Sequence, residues 1–179
     1  MAWGREIDKN TESFLNLCKS LSSEQLNWKS DQNTWSVAQN LDHLIIINES
    51  YYPLFRQLKE GTYKIPFLGR FKPVVEWLGN TILQSVVPEN TKKSRTFSFW
   101  EPQKADLSED ILERFVIHQS QLKKQIESLQ HLDKDTIISS PANRQVVYTL
   151  GHAFELIVTH EKRHLQQIKG ILKRLPSFI

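Results

Sequence analysis

A single cysteine, Cys18, stands among 179 residues, so no disulfide can form within the chain, and a reducing compartment suits it. Its place in an apolar helical stripe reads as a buried structural thiol and not as a nucleophile. Glycine and proline are scarce, six and seven respectively. That is too few for a low-complexity segment or for the many tight turns of an all-β chain. No stretch approaches the roughly 18 continuous apolar residues of a membrane-crossing helix. The first residues, Met1-Ala2-Trp3-Gly4-Arg5-Glu6-Ile7-Asp8, carry no apolar core of signal-peptide length. The expectation is a cytoplasmic protein without stable membrane insertion. An excess of one charge is missing too: 23 Lys and Arg oppose 20 Asp and Glu, a formal net charge of +3. The nearest thing to a basic patch, Lys92-Lys93-Ser94-Arg95, reads as a solvated loop, and no nucleic-acid partner is expected.

What the chain has is helical periodicity and a pattern of histidines. Its length suits a single domain over residues 1–179 that buries a full core. Four long helical patterns appear, and no pair of alternating strands competes with them, so the fold class is all-α. The first runs from about Arg5 to Leu21, with a short turn following at Ser23-Glu24-Gln25-Leu26. The second opens on the capping box Ser36-Val37-Ala38-Gln39 and is apolar on every side from Leu44 to Ile47, which calls for a second cover, either a dimer contact or an overlying insertion. Residues 60–104 are punctuated by Gly and Pro, and such long connections are usually functional or carry helices of their own. Phe67, Phe71, Val74, Val75, Leu78 and Ile82 mark an amphipathic segment there, read as a cap over one end of the helices, with membrane contact or packing on the second helix as alternatives. The third helix is expected from Asp106, with Glu109 completing a capping box, and carries Phe115, His118, Leu122, Ile126 and Leu129 on one stripe. A loop from Leu132 to Tyr148 leads to the last helix, Thr149 to Leu175, which Pro176 stops.

The last helix contains His160-Glu161-Lys162-Arg163-His164. Histidines four apart on a helix lie about 40° apart round its axis and roughly 6 Å along it, a spacing that suits two ligands of one divalent metal. Both share the inward face with Ala153, Leu156, Ile157, Gln167 and Ile171. Unsatisfied imidazole nitrogens in an apolar interior cost on the order of 1 to 3 kcal/mol each, and a metal removes that problem for both. On the second helix, His43 shares an inward face with Gln39, Ile46, Ile47, Ser50 and Leu54 and can meet the pair across the core. Three neutral imidazoles with an open position describe a catalytic zinc site better than a closed structural one, and nickel, manganese or iron could also bind. Gln39 and Gln167, each one turn from a ligand, are candidates to orient imidazoles or line a pocket. Glu161, rotated about 100° from His160, could reach a ligand imidazole as an acceptor or face solvent, and the second is expected. It would be the general base only if the protein were a zincin-type protease, a reading opposed by the distant third histidine. His118 reads as a buried structural imidazole, with a fourth ligand or a proton carrier as alternatives, His152 would reach the metal only with distortion, and His131 reads as a cation beside a helix C-terminus.

The segments Trp35-Ser36-Val37-Ala38-Gln39-Asn40-Leu41-Asp42-His43-Leu44 and His160-Glu161-Lys162-Arg163-His164-Leu165-Gln166-Gln167-Ile168 resemble the DinB/YfiT-like superfamily of metal-binding four-helix bundles. The stretch from Pro88 to Pro102, with Phe97 and Phe99 before Glu101-Pro102, is similar to that family's crossover. The resemblance implies an up-down-down-up four-helix bundle with a long crossover between helices 2 and 3, often homodimeric. It also implies a divalent metal on His43, His160 and His164. Characterised relatives include transferases that use low-molecular-weight thiols, and several carry a hydrolase label. The function expected is therefore a metal-dependent S-transferase or hydrolase of a small molecule, with a thiol as cosubstrate in the first case. A non-catalytic metal- or ligand-binding module of a stress response is the alternative.

Overall fold

The computed structural model describes residues 2–90, 96–102, 107 and 110–176. Helices dominate: α1 (Ala2–Cys18), α2 (Ser23–Asn27), α3 (Val37–Glu49), α4 (Tyr52–Lys59), α5 (Lys72–Val86), α6 (Ile111–Ser128) and α7 (Leu150–Leu172). Local chemistry sets several of their ends. Ser22 with Gln25 and Ser36 with Gln39 form reciprocal capping boxes at α2 and α3, each satisfying amides that the first turn leaves unpaired. Pro53 lies in the first turn of α4, where its missing N–H is harmless but a continuous helix from α3 could not be completed. The second helix expected from the sequence is therefore two consecutive helices. The third begins at Ile111 with no side-chain cap, and the expected box at Asp106 and Glu109 lies outside the described residues. So does the basic run at 92–95.

The all-α expectation needs one correction. Ile137–Ser139 (β1) and Val147–Thr149 (β2) pair antiparallel, with Ile138 opposite Tyr148. Thr149 then caps α7 by accepting from the His152 amide, so the hairpin delivers the chain straight into the last helix. The amphipathic segment between α4 and α6 is real but sits elsewhere than expected. A 3₁₀ turn at Phe67–Arg70 leads into α5, and this pair packs on α7 and on the hairpin. Gly79 makes the contact with α7 possible: a Cβ there would stand 3.0 Å from the His152 ring.

The long helices α1 and α3 each pack against both α6 and α7. Their interior is divided into two apolar clusters. One contains Ile7, Phe55, Leu122, Ile126, Tyr148, Phe154 and Val158; the other contains Phe14, Leu41, Leu44, Ile111, Phe115, Leu165 and Ile168. Between them lies a buried polar layer with one residue from each of four helices: Asn10, Asn48, Gln119 and Glu161. Along α1 and α7 the chain runs from the first cluster to the second, and along α3 and α6 it runs from the second to the first. Of the apolar run on α3, Leu44 and Ile45 are buried, while Ile46 and Ile47 are half-buried; Ile47 faces a cavity.

Candidate metal centre

Helix α3 brings His43, and α7 brings His160 and His164, to one wall of a cavity of about 1100 Å³. Each imidazole offers a nitrogen within 4.8 Å of the others. The orientation of two rings is set by groups behind them. His43 Nδ1 lies 2.7 Å from the Trp100 carbonyl, an acceptor only, so the proton sits on Nδ1 and the lone pair on Nε2. His164 Nδ1 lies 2.7 Å from Asn40 Oδ1. The Asn40 amide is itself fixed, because its Nδ2 donates to the Ser36 carbonyl at 2.8 Å, which leaves Oδ1 facing the imidazole. His164 Nε2 then presents its lone pair toward His160 Nε2 at 3.0 Å. Hydrogen bonds made from behind in this way fix the tautomer and ring orientation of metal-ligating histidines.

The donor set fits a divalent cation. Two nitrogens sharing a tetrahedral zinc at about 2.05 Å stand about 3.3 Å apart; the His160–His164 pair, at 3.0 Å, is within a few tenths of that, and His43 completes a group whose ligand atoms all lie within 4.8 Å of one another. Protonation favours ligation as well. Burial lowers the pKa of His43. Burial, then the neighbouring His43 and Arg163, push His160 down to about 3. Burial and both partner imidazoles hold His164 well below the usual histidine range. All three are neutral at physiological pH, which is the form that binds metal. Trp35 roofs the group, its ring 4.8 Å from His43 and stacked 6.2 Å from His164, and limits access from that side.

The sequence-derived candidates separate once placed. Gln167 lines the cavity. Gln39 does not: its Oε1 accepts from the Ser36 amide at 3.2 Å, so its side chain belongs to the α3 cap. Glu161 departs furthest from expectation. It is fully buried and turned away from the cavity into the polar layer, where Asn10 (2.9 Å), Gln119 (2.9 Å) and Asn48 (3.1 Å) all donate to its carboxylate. Burial raises its pKa to about 7 against the pull of those three amides. A carboxylate so enclosed cannot serve as a general base for a ligand in the cavity. His118 is buried beside Tyr52 with Nε2 lacking a partner among the described residues. His152 sits in the α7 cap with Nδ1 2.8 Å from Thr149 Oγ1. His131 is exposed beyond the end of α6. None of these three joins the cluster. Burial pushes the Cys18 thiol up to about 12, so it stays protonated and inert as its stripe implied.

Three contributors are not among the residues that the sequence singles out: Asn40, the Trp100 carbonyl and Arg163. Asn40 lies one turn before His43, a position from which a carboxamide can reach a neighbouring helix, and that spacing is the one signal for it. Arg163 is buried at the cavity wall with Nη1 2.6 Å from the Ser85 carbonyl of α5.

Comparison with known proteins agrees with this picture. Residues 6–168 match the DinB superfamily, and the chain belongs to that family. A similar protein is the uncharacterised YuaE of Bacillus subtilis (strain 168), 28% identical over 161 residues, covering 89% of this chain and 91% of YuaE. No solved structure matches.

Proposed function

We propose that the protein is a divalent-metal-dependent enzyme, a low-molecular-weight-thiol S-transferase or a hydrolase of a small molecule, with zinc as the first candidate metal and nickel as the second. The observation that carries this reading is the set of three neutral imidazoles, two of them oriented from behind, at the wall of a cavity large enough for a small-molecule substrate. A cation held by His43, His160 and His164 would supply Lewis acidity, making a thiol or water acidic enough to react near neutral pH. The protein's own groups do the rest. The Trp100 carbonyl and Asn40 hold ligand nitrogens in place, Trp35 and Trp100 exclude water beside them, and Arg163 fixes a positive charge on the same wall. We read the four long helices as the family's up-down-down-up bundle in a single domain. The order in which the helices cross between the two core clusters, α1 and α7 in one direction and α3 and α6 in the other, supports that topology.

The test is elemental analysis of tag-free protein purified without chelator, beside His43→Ala and His160→Ala. Near one equivalent of transition metal in the parent, lost in both variants, is expected. The parent should then consume thiol in the presence of an electrophile, or hydrolyse an ester or amide, only when loaded. Absence of metal from the parent after reloading would return the three histidines to the core and refute the proposal.

A further inference from the structure

The tip of the crossover exposes apolar side chains that the fold has no use for. Phe67 is 66% exposed, Trp77 65%, Ile65 54% and Phe71 47%. Phe67 and Phe71 meet edge to face at 5.5 Å, with Ile65 against Gly69 between them in sequence, while Trp77 stands further along α5, next to the exposed Glu76. The region is held in place. Gly69 is buried where a Cβ would stand 2.7 Å from Ile65 and 2.8 Å from Ile137 of β1, so the 3₁₀ turn is pressed on the hairpin while Phe67 points outward.

The same tip is cationic. Residues 61–75 contain Lys64, Arg70 and Lys72 and no acid, Glu60 and Glu76 being the first on either side; all three cations are exposed. The Arg70 guanidinium lies 5.7 Å over the Phe67 ring, and Arg144 of the hairpin loop adds a fourth, donating to the Lys64 carbonyl at 3.2 Å. Aromatic rings interleaved with Lys and Arg are the composition that settles at a bilayer headgroup region, where rings enter the acyl boundary and cations meet anionic headgroups. We propose that this tip, residues 64–72 with Trp77 and Arg144, is an adsorption surface for an anionic lipid bilayer.

Charge decides against a second copy as the occupant. A two-fold contact centred on Phe67 and Phe71 would set the same cations of both protomers against each other, and the segment between Glu60 and Glu76 holds no acid to offset them. Adsorption also agrees with the helices, since none among the described residues is long and apolar enough to cross a membrane.

The test is flotation of the full chain with phosphatidylcholine vesicles, with and without phosphatidylglycerol, at low and high salt. Binding is expected only to the anionic vesicles, weakening as salt rises. The double variant Lys64→Glu/Arg70→Glu should bind at least about tenfold more weakly. Phe67→Ser/Phe71→Ser should lose binding as well, while circular dichroism and metal content stay those of the parent. The blue shift of tryptophan fluorescence on adsorption should vanish in Trp77→Phe. Equal partition onto neutral vesicles, no binding at low salt, or binding indifferent to the charge reversals would overturn the proposal. So would a dimer in sedimentation equilibrium that Phe67→Ser/Phe71→Ser dissociates, since the patch would then belong to a second copy.

Discussion

Replacing Glu161 by alanine removes the common acceptor of three buried carboxamides, and the structure sets the size of the penalty. Asn48 and Gln119 donate to one carboxylate oxygen and Asn10 to the other. Asn10 also donates to the Val158 carbonyl at 3.1 Å, so it retains a partner, whereas the other two donors are stranded. A buried donor without an acceptor costs about 1 to 3 kcal/mol, and the vacated side-chain volume adds a cavity term, giving a destabilisation of about 3 to 6 kcal/mol. For a chain of this length that corresponds to a fall in Tm on the order of 10 °C. Glutamine at the same position keeps one oxygen for Asn48 and Gln119 but sets its own amide donor against the Asn10 Nδ2 donor, which keeps its bond to the Val158 carbonyl, so Glu161→Gln loses one hydrogen bond of the three and should cost about 1 to 3 kcal/mol. Urea unfolding of the metal-free proteins, followed by circular dichroism, measures both values without the contribution of bound metal. Metal content of Glu161→Gln should remain near that of the parent. An alanine variant within about 1 kcal/mol of the parent would refute the account of the polar layer, and loss of metal in the glutamine variant would restore a role for Glu161 at the site.

Two further outcomes follow from buried groups. Asn40→Ala removes the acceptor behind His164 and should weaken metal binding by about 10- to 100-fold with the fold intact; competition against a chromophoric chelator reads this, and unchanged affinity would show that Asn40 does not orient the ring. His118 has its pKa lowered to about 4 by burial; Glu49 lies 3.6 Å away but is half exposed, so water screens its opposing pull. Between pH 6.5 and 4 the unfolded chain therefore binds a proton that the folded chain does not, and stability falls as pH falls through that window, by about 3 kcal/mol at most. His118→Phe should flatten the acid limb of the stability profile of metal-free protein, and an unchanged slope would count against the burial argument.

Features that depend on one stretch of chain are legible in the amino-acid sequence. Ser36 and Gln39 announce the start of α3 because both halves of the cap lie within four residues, and His160 and His164 share a face by helical geometry alone. Features that depend on several elements are not. Glu161 falls about 100° from His160 and reads as solvent-facing because a helix at a surface has a wet side. Helix α7 keeps that wet side at Lys162, whose side chain is 42% exposed, but Glu161 falls on the neighbouring flank, where Asn10 of α1, Asn48 of α3 and Gln119 of α6 cover it. The hairpin strands are three residues each, too short for alternation to register against the surrounding turn residues. Pro53 is a local mark of the α3–α4 break, whereas the partner of His43 is a main-chain oxygen, which every residue type offers equally.

That last contact carries a consequence for how the site can change over time. The group that fixes His43 is a carbonyl of the crossover, so no side-chain replacement at position 100 can delete it. The crossover can vary its sequence there at little expense to the ligand geometry. It cannot shift its register there so freely, because a residue inserted or deleted within the 3₁₀ turn Ser98–Trp100 would carry the oxygen away from Nδ1 and let the imidazole rotate. The site is thus robust to substitution and fragile to insertion at the same spot.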